Sequence, residues 1–322
     1  MNLWQRLPLI LLLGMGMLCL GIGCGDDNNP AEPPPAPEGH LTLGNHLLDF
    51  GEGDNEKTVL ITNDGDTSLT WNISASSIPY WATVNPFSGT LASSAQIRDT
   101  VRVYRVGIGP GTTTATLTFL SSANDDTLLL SVDHTCDLLG DNFNSGSAAN
   151  WTATALTPSQ GEGYVVLVPT STQEAGRLLQ HRSPVFPCVV SARFGRTGPD
   201  ADLNQYGILL EGTDTQDALE FTIYADSDTM NYALEQHAVG WTDWERLAWG
   251  LTGLISTAPG QFSILRLELY QSGQIVYARG YAGIATEPLF EGVEIEQSLD
   301  FVKMGLRTEG PIVNADWFCA AH

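Results

Sequence analysis

The chain has 322 residues, 43% of them hydrophobic, which is length and apolar content enough for two domains that each bury a core. Its 37 Asp and Glu against 14 Lys and Arg give a formal charge of −23, and Lys57 and Lys303 are the only lysines. So acidic a surface repels phosphate backbones, which are bound through clustered Lys and Arg, and nucleic acid is excluded as a partner. Beyond that, the acidity speaks for solubility rather than for acid-specific chemistry.

The chain opens with Arg6 and an apolar run from Leu7 to Leu20, closed by Gly21-Ile22-Gly23-Cys24 and the polar Gly25-Asp26-Asp27-Asn28-Asn29. A small residue at the end of such a run is how a secretory peptide presents its cleavage point. The run is shorter than the roughly 20 apolar residues a spanning helix needs, and glycine breaks it. The stretch resembles the lipobox of bacterial lipoproteins. That resemblance implies a signal peptide over residues 1–23, palmitate-type acylation of Cys24, and a chain tethered to the cell envelope. Gly25 directly after the cysteine, in place of Asp, implies by the same resemblance the outer membrane, on its periplasmic or its outer side. Residues 24–39 contain Asn28-Asn29-Pro30-Ala31-Glu32-Pro33-Pro34-Pro35-Ala36-Pro37-Glu38, which favours extended polyproline II and reads as a linker.

From Leu41, short runs of Val, Leu, Ile, Thr and aromatics alternate with Gly, Asn, Asp, Ser and Pro clusters, an all-β rhythm. Residues 40–134 form a first block, with strands predicted at Val59–Ile61, Leu69–Ile73, Val101–Val103, Ala115–Phe119 and Leu128–Val132. About seven short strands in this length suit an immunoglobulin-like sandwich. Leu48-Asp49-Phe50-Gly51, Asn63-x-Gly65, Leu69-Thr70-Trp71-Asn72-Ile73, the stretch from Pro79 to Leu91 with Trp81-x-x-Val84-x-Pro86-x-Ser88-Gly89, and Pro110-Gly111 together resemble a BACON domain. The name of that family reflects a proposed link to carbohydrate binding, and many members look like spacers. Trp71 alternates in phase with Leu69 and Ile73, which directs it and, by the same reasoning, Trp81 to the core.

Residues 135–322 form the second block. Asp141-Asn142-Phe143-Asn144, then Asn150-Trp151-Thr152-Ala153, and at the end Val313-Asn314-Ala315-Asp316-Trp317-Phe318, resemble concanavalin-like and laminin-G-like jelly rolls. Strands are predicted at Tyr164–Val168, Val189–Phe194, Tyr206–Leu210, Leu219–Tyr224, Met230–Glu235, Phe262–Tyr270, Gln274–Ala278, Phe301–Leu306 and Val313–Cys319, with hairpins at Gln271-Ser272-Gly273 and Ala225-Asp226-Ser227-Asp228. A turn of helix is expected near Thr172–Leu179. The whole is then an immunoglobulin-like β-sandwich followed by a larger jelly-roll β-sandwich.

Few residues point to chemistry. The jelly-roll resemblance raises glycoside hydrolysis, which needs two carboxylates flanking the scissile bond. The paired-carboxylate strand motif of that chemistry is missing, and Glu211-Gly212-Thr213-Asp214 and Glu291-x-x-Glu294-x-Glu296 read as solvated acidic faces. The six histidines show no metal-ligand spacing, and the chain lacks a Gly-x-Ser-x-Gly elbow and a phosphate loop. Neither a cofactor nor a metal is expected, apart from Ca²⁺ at acidic loops holding Asp200 and Asp202, Asp214 and Asp217, or Asp226 and Asp228. With Cys19 in the leader and Cys24 acylated, Cys136, Cys188 and Cys319 allow one disulfide and one remaining thiol, and spacing leaves the pairing of Cys136, with Cys319 or with Cys188, open.

Trp241, Trp244 and Trp249, with Tyr232 and Tyr206 upstream, are the candidate ligand-binding residues, since exposed rings stack on sugar faces. The plainer reading of these rings is core and hairpin packing. The sequence thus points to a non-catalytic, lipid-anchored envelope protein that binds a glycan or another extracellular partner. A divergent glycan-degrading enzyme using Glu211, Glu220 or Glu235, or a purely structural envelope protein, is the alternative. The enzyme gains if Glu220 and Glu235 share a concave face at about 5 to 10 Å, and fails if Leu and Phe fill that face.

Overall fold

The computed structural model describes residues 38–143, 148, 150–161, 164–171, 175–197, 205–214, 216–225, 229–240, 242–296 and 299–322. Cys24, the leader and most of the Pro-rich linker lie outside these residues. The described chain is all-β, and its strands build two sandwiches.

In the first, β1 (Leu41–Leu43), β3 (Glu56–Asn63), β7 (Gln96–Val103) and β5 (Ala82–Asn85) form one sheet in the order β1-β3-β7-β5. The facing sheet, in the order β2-β9-β8-β4-β6, consists of β2 (Leu47–Asp49), β9 (Asp126–His134), β8 (Gly111–Ser121), β4 (Leu69–Ile73) and β6 (Ser88–Leu91). β4 alternates buried and exposed residues along its length, and Trp71 and Trp81 both lie in the core. Asn63 ties the corner of this sandwich. Its side-chain amide donates to the carbonyls of Thr67, Leu91 and Ala92 at 2.7–3.1 Å, while its oxygen accepts from the backbone N–H of His40 and Gly65. A Cβ on Gly65 would stand 2.4 Å from the Glu38 carbonyl, so the Asn-x-Gly spacing follows from a buried amide beside a close backbone approach.

One residue breaks the apolar pattern. β7 turns Asp99, Val101 and Val103 inward, and Asp99 is fully buried with neither carboxyl oxygen in hydrogen-bonding geometry. Burial pushes its carboxyl up to about 7.

The second sandwich takes its strands in the order β10 (Leu139–Asp141), β11 (Thr152–Thr154), β12 (Leu156–Gln160), β13 (Val165–Pro169), β14 (Gly176–His181), β15 (Cys188–Arg196), β16 (Gln205–Gly212), β17 (Ala218–Tyr224), β18 (Tyr232–His237), β19 (Glu245–Gly250), β20 (Phe262–Ser272), β21 (Ile275–Ala282), β22 (Phe290–Ile295), β23 (Phe301–Glu309) and β24 (Val313–Ala321). An eight-stranded sheet runs β12-β13-β24-β15-β20-β21-β22, with β10 also paired to β24, and a seven-stranded sheet runs β11-β14-β23-β16-β17-β18-β19. Their inner faces meet in one core that includes Phe194, Tyr206, Phe221, Leu267, Leu306 and Phe318. The helical turn expected near Thr172–Leu179 is not formed where the chain is described, because Gly176–His181 is strand β14 between β11 and β23. Leu178 and Leu179 are both buried, one on each face of the sheet, and that apolar pair hides the alternation of a strand.

Cys136, two residues beyond β9, forms a disulfide with Cys319 on β24, and Cys188 is a buried free thiol. At the same junction the guanidinium of Arg193 lies 4.5 Å from the Tyr80 ring and 4.4 Å from the Phe262 ring, and it pairs with Asp316.

Candidate functional site

Register assigns a chemistry to each face of the seven-stranded sheet. Side chains alternate across a strand, so the partners of core residues point away from the core. On β16 and β17 these are Gln205, Gly207, Leu209 and Glu211, and opposite them Tyr224, Thr222, Glu220 and Ala218. β23 adds Lys303, Gly305, Arg307 and Glu309, β14 adds Arg177, Leu179 and His181, and β18 adds Ala233 and Glu235. The outer face therefore carries charge where the inner face carries Leu, Ile and Phe.

The charges are cross-linked. Glu211, only 2% exposed, receives Arg177 Nη1 at 2.8 Å and Lys303 Nζ at 2.6 Å. Arg307 Nε lies 2.9 Å from Glu220, and its Nη2 donates to Glu309. Glu235 accepts from Arg246 Nε at 2.8 Å, from the Tyr224 hydroxyl at 2.6 Å and from Gln205 Nε2 at 3.1 Å. Glu220 and Glu235 are directly paired across β17 and β18. Burial, and to a lesser degree the Glu235 charge, pushes the Glu220 carboxyl up to about 7 against the pull of Arg307. Tyr224 is held above the usual phenol range by burial and by its bond to Glu235.

The reading of Glu211 as part of a solvated acidic face is corrected here. Two cations from neighbouring strands converge on it and replace the water it would otherwise need. Glu220 and Glu235 also point to the outer face, which they share with a small buried apolar cluster of Leu179, Leu209 and Ala218.

The tryptophans come out differently from one another. Trp249 is 58% exposed and Trp244 is 41% exposed, so neither packs in the core. A register shift between Leu234 and Glu235 pairs Glu235 with Arg246 and Ala233 with Trp249, and so brings both Arg246 and Trp249 to the outer face although they stand three residues apart. Trp244 sits beyond the other end of β19, with its ring 5.4 Å from His237. Five residues of extended chain set their backbones about 17 Å apart, and the two rings stand at opposite ends of β19. Tyr232 is corrected: it is 7% exposed and belongs to the core, with its ring stacked on Phe290 and its hydroxyl donating to the Leu289 carbonyl. Tyr206 is likewise a core residue. Trp241 lies outside the described residues. Sequence reasoning missed Arg246, Arg177 and Lys303. Their signal was present as the scarcity of cations in so acidic a chain.

For metals, the ligand atoms of His134, Cys136 and Cys319 lie within 4.8 Å of one another, but both sulfurs belong to the disulfide and provide no thiolate. Of the acidic loops proposed for Ca²⁺, Asp214 accepts from the Gln216 amide and so caps its own turn, and Asp217 accepts from the Val239 amide beyond β18. Asp200, Asp202, Asp226 and Asp228 lie outside the described residues. A cavity of about 580 Å³ lies beside Tyr80, Arg193 and Phe262 at the junction of the two sandwiches.

These features define an all-β protein of two sandwiches whose second member carries a polar, ion-paired outer face. More particularly, residues 40–133 match a family model described as the viral BACON domain. No curated protein matches the chain. Among solved structures, the carbohydrate-binding module CBM66 from Bacillus subtilis is similar at 10% identity and a TM-score of 0.42, over 54% of this chain and 96% of that one. A Bacillus subtilis protein of unknown function with a galectin-like fold is similar at 12% identity and a TM-score of 0.42, over 54% of this chain and 90% of that one. The GH43 protein BlXynB from Bacillus licheniformis is similar at 11% identity and a TM-score of 0.41, over 89% of this chain and 65% of that one.

Proposed function

We propose that this is a non-catalytic glycan-binding protein of the bacterial cell envelope, acylated at Cys24 and held at the outer membrane. In this reading residues 1–23 are a signal peptide, 24–39 a linker, 40–134 a spacer, and 135–322 the binding module. The observation that carries it is the outer face of the seven-stranded sheet, where Glu235, Arg246, Tyr224 and Gln205 form a locked row of donors and acceptors beside exposed Trp249. Sugar recognition needs fixed polar groups for hydroxyls and an aromatic face for the ring. The experiment is a screen of the purified full chain against polysaccharides, scoring retention and release of reducing ends together. Retention without release supports the reading, and absence of retention defeats it. Anchoring is tested by palmitate labelling in a bacterial host, which Cys24→Ser abolishes if the thiol is acylated.

One observation favours a second reading, glycan hydrolysis. Glu220 and Glu235 face each other directly, with Glu220 poised for protonation near neutrality, which is the division of labour of an acid and a carboxylate partner. Against it, Glu220 is 2% exposed and ion-paired to Arg307, and Glu235 is held by three donors. Reducing-end release that Glu220→Gln abolishes would establish this alternative.

A further inference from the structure

At the end of this face remote from Trp249 lies a cavity of about 160 Å³, bordered by Thr152, Thr154, Arg177, His181, Glu211 and Lys303. The register of β14 against β23 sets Arg177 opposite Arg307 and His181 opposite Lys303, so cations cluster where two strands meet. A buried carboxylate is neutralised by one cation; Glu211 has two, Arg177 Nη1 at 2.8 Å and Lys303 Nζ at 2.6 Å. Among the residues that border the cavity two permanent cations face one carboxylate, in a chain of formal charge −23, while Glu220 on β17 also acts on Arg177.

The donors are also in excess. Arg177 has five N–H groups and Lys303 three, and among the described residues each gives one to Glu211 and has no other acceptor. Their side chains keep 27% and 20% of their exposure, so the spare donors are reachable from the cavity. Glu211 takes one donor from each head and competes with an incoming anion for them. What satisfies several spare N–H donors on two adjacent cations is an oxyanion. The cavity is smaller than the roughly 300 Å³ at which drug-sized sites begin, which suits one sugar unit or its acidic group, and the hydroxyls of Thr152 and Thr154 stand at its border.

We propose that this pocket binds the carboxylate or sulfate of an acidic sugar, and hence that the glycan of the outer face is an anionic one. The proposal rests on the glycan reading above.

The experiment titrates the purified full chain with glucuronic acid, glucose and inorganic sulfate at low and at physiological ionic strength. Glucuronic acid binds at least about tenfold more tightly than glucose, and salt weakens it. Lys303→Gln and Arg177→Gln each lose about tenfold, Lys303→Arg retains binding, and Glu211→Gln, which removes the competing internal anion, tightens it. The opposite signs at Lys303 and Glu211 separate a binding role from loss of folding. Equal binding of glucose and glucuronic acid, or a Lys303→Gln variant that binds glucuronic acid unchanged, overturns the proposal. If neutral sugars bind and Trp249→Ala abolishes that binding, the glycan reading survives such a result. Binding of inorganic sulfate with no sugar bound overturns both.

Discussion

Glu220 on β17 and Glu235 on β18 stand directly opposite each other, and each is held by its own arginine, Arg307 for the first and Arg246 for the second. Two like charges at this spacing repel, and those arginines offset part of the repulsion. Arg307 and Glu220 are almost fully buried, so Arg307→Gln drives Glu220 further towards its neutral form and leaves Glu220 and Glu309 without their shared cation. The expected loss is about 3–5 kcal/mol, and Glu220→Gln in the same chain recovers much of it. Urea midpoints of the single and double variants check this, and equal destabilisation by both would refute it.

Stability also depends on pH through two raised carboxyls. Asp99 moves from 3.8 to about 7 and Glu220 from 4.5 to about 7, so the native state favours their neutral forms. For a carboxyl raised on folding, the contribution is whole below the unfolded value and disappears as pH climbs through the folded one. The wild-type urea midpoint therefore falls between about pH 4 and pH 7 from these two groups. Asp99→Asn removes the larger rise and stabilises the protein by roughly 1–3 kcal/mol above pH 7, the gain being limited by the unpaired amide it buries. A variant that shows the wild-type pH profile would place the titration elsewhere.

The disulfide closes a loop with a sequence separation of 183, from the junction of the sandwiches to the last strand. In the chain-entropy account its loss costs up to about 5 kcal/mol, and Cys136→Ser lowers the guanidinium midpoint accordingly. Burial pushes the Cys188 thiol up to about 12, so native protein reacts with Ellman's reagent slowly at this site and denatured protein promptly. Rapid native reaction would contradict the burial.

Much of this architecture was legible in the chain, and the reason is period. Leu69-Thr70-Trp71-Asn72-Ile73 alternates, and its odd members are the buried ones. The strand pattern fails where both faces are buried, as at Leu178 and Leu179, and at β16, whose eight residues are all buried. The polar outer face was less legible because it depends on which strands become neighbours. Arg177, Glu211 and Lys303 are far apart in the chain, and only the order β14-β23-β16 brings them together. Trp249 turns outward beside Arg246 through a shift in register that no periodicity announces. Tyr232 looked like a partner of the tryptophans because it is near them in sequence, yet its strand parity sends it to the core.

Exposure at Trp249 makes its removal cheap. Trp249→Ala changes stability by less than about 0.5 kcal/mol, whereas Trp71→Ala in the first core costs about 3–5 kcal/mol. Thermal melts of the two variants check the contrast, and a large loss at Trp249 would mean that its ring is structural.

The account stands most directly on migration of the purified full chain through native gels cast with a series of neutral and acidic polysaccharides. Wild type is retarded by at least one of them, and Trp249→Ala restores free migration while its melting temperature stays close to wild type. Free migration of wild type in every gel, or equal retardation of Trp249→Ala, would contradict a glycan site on the outer face of the seven-stranded sheet.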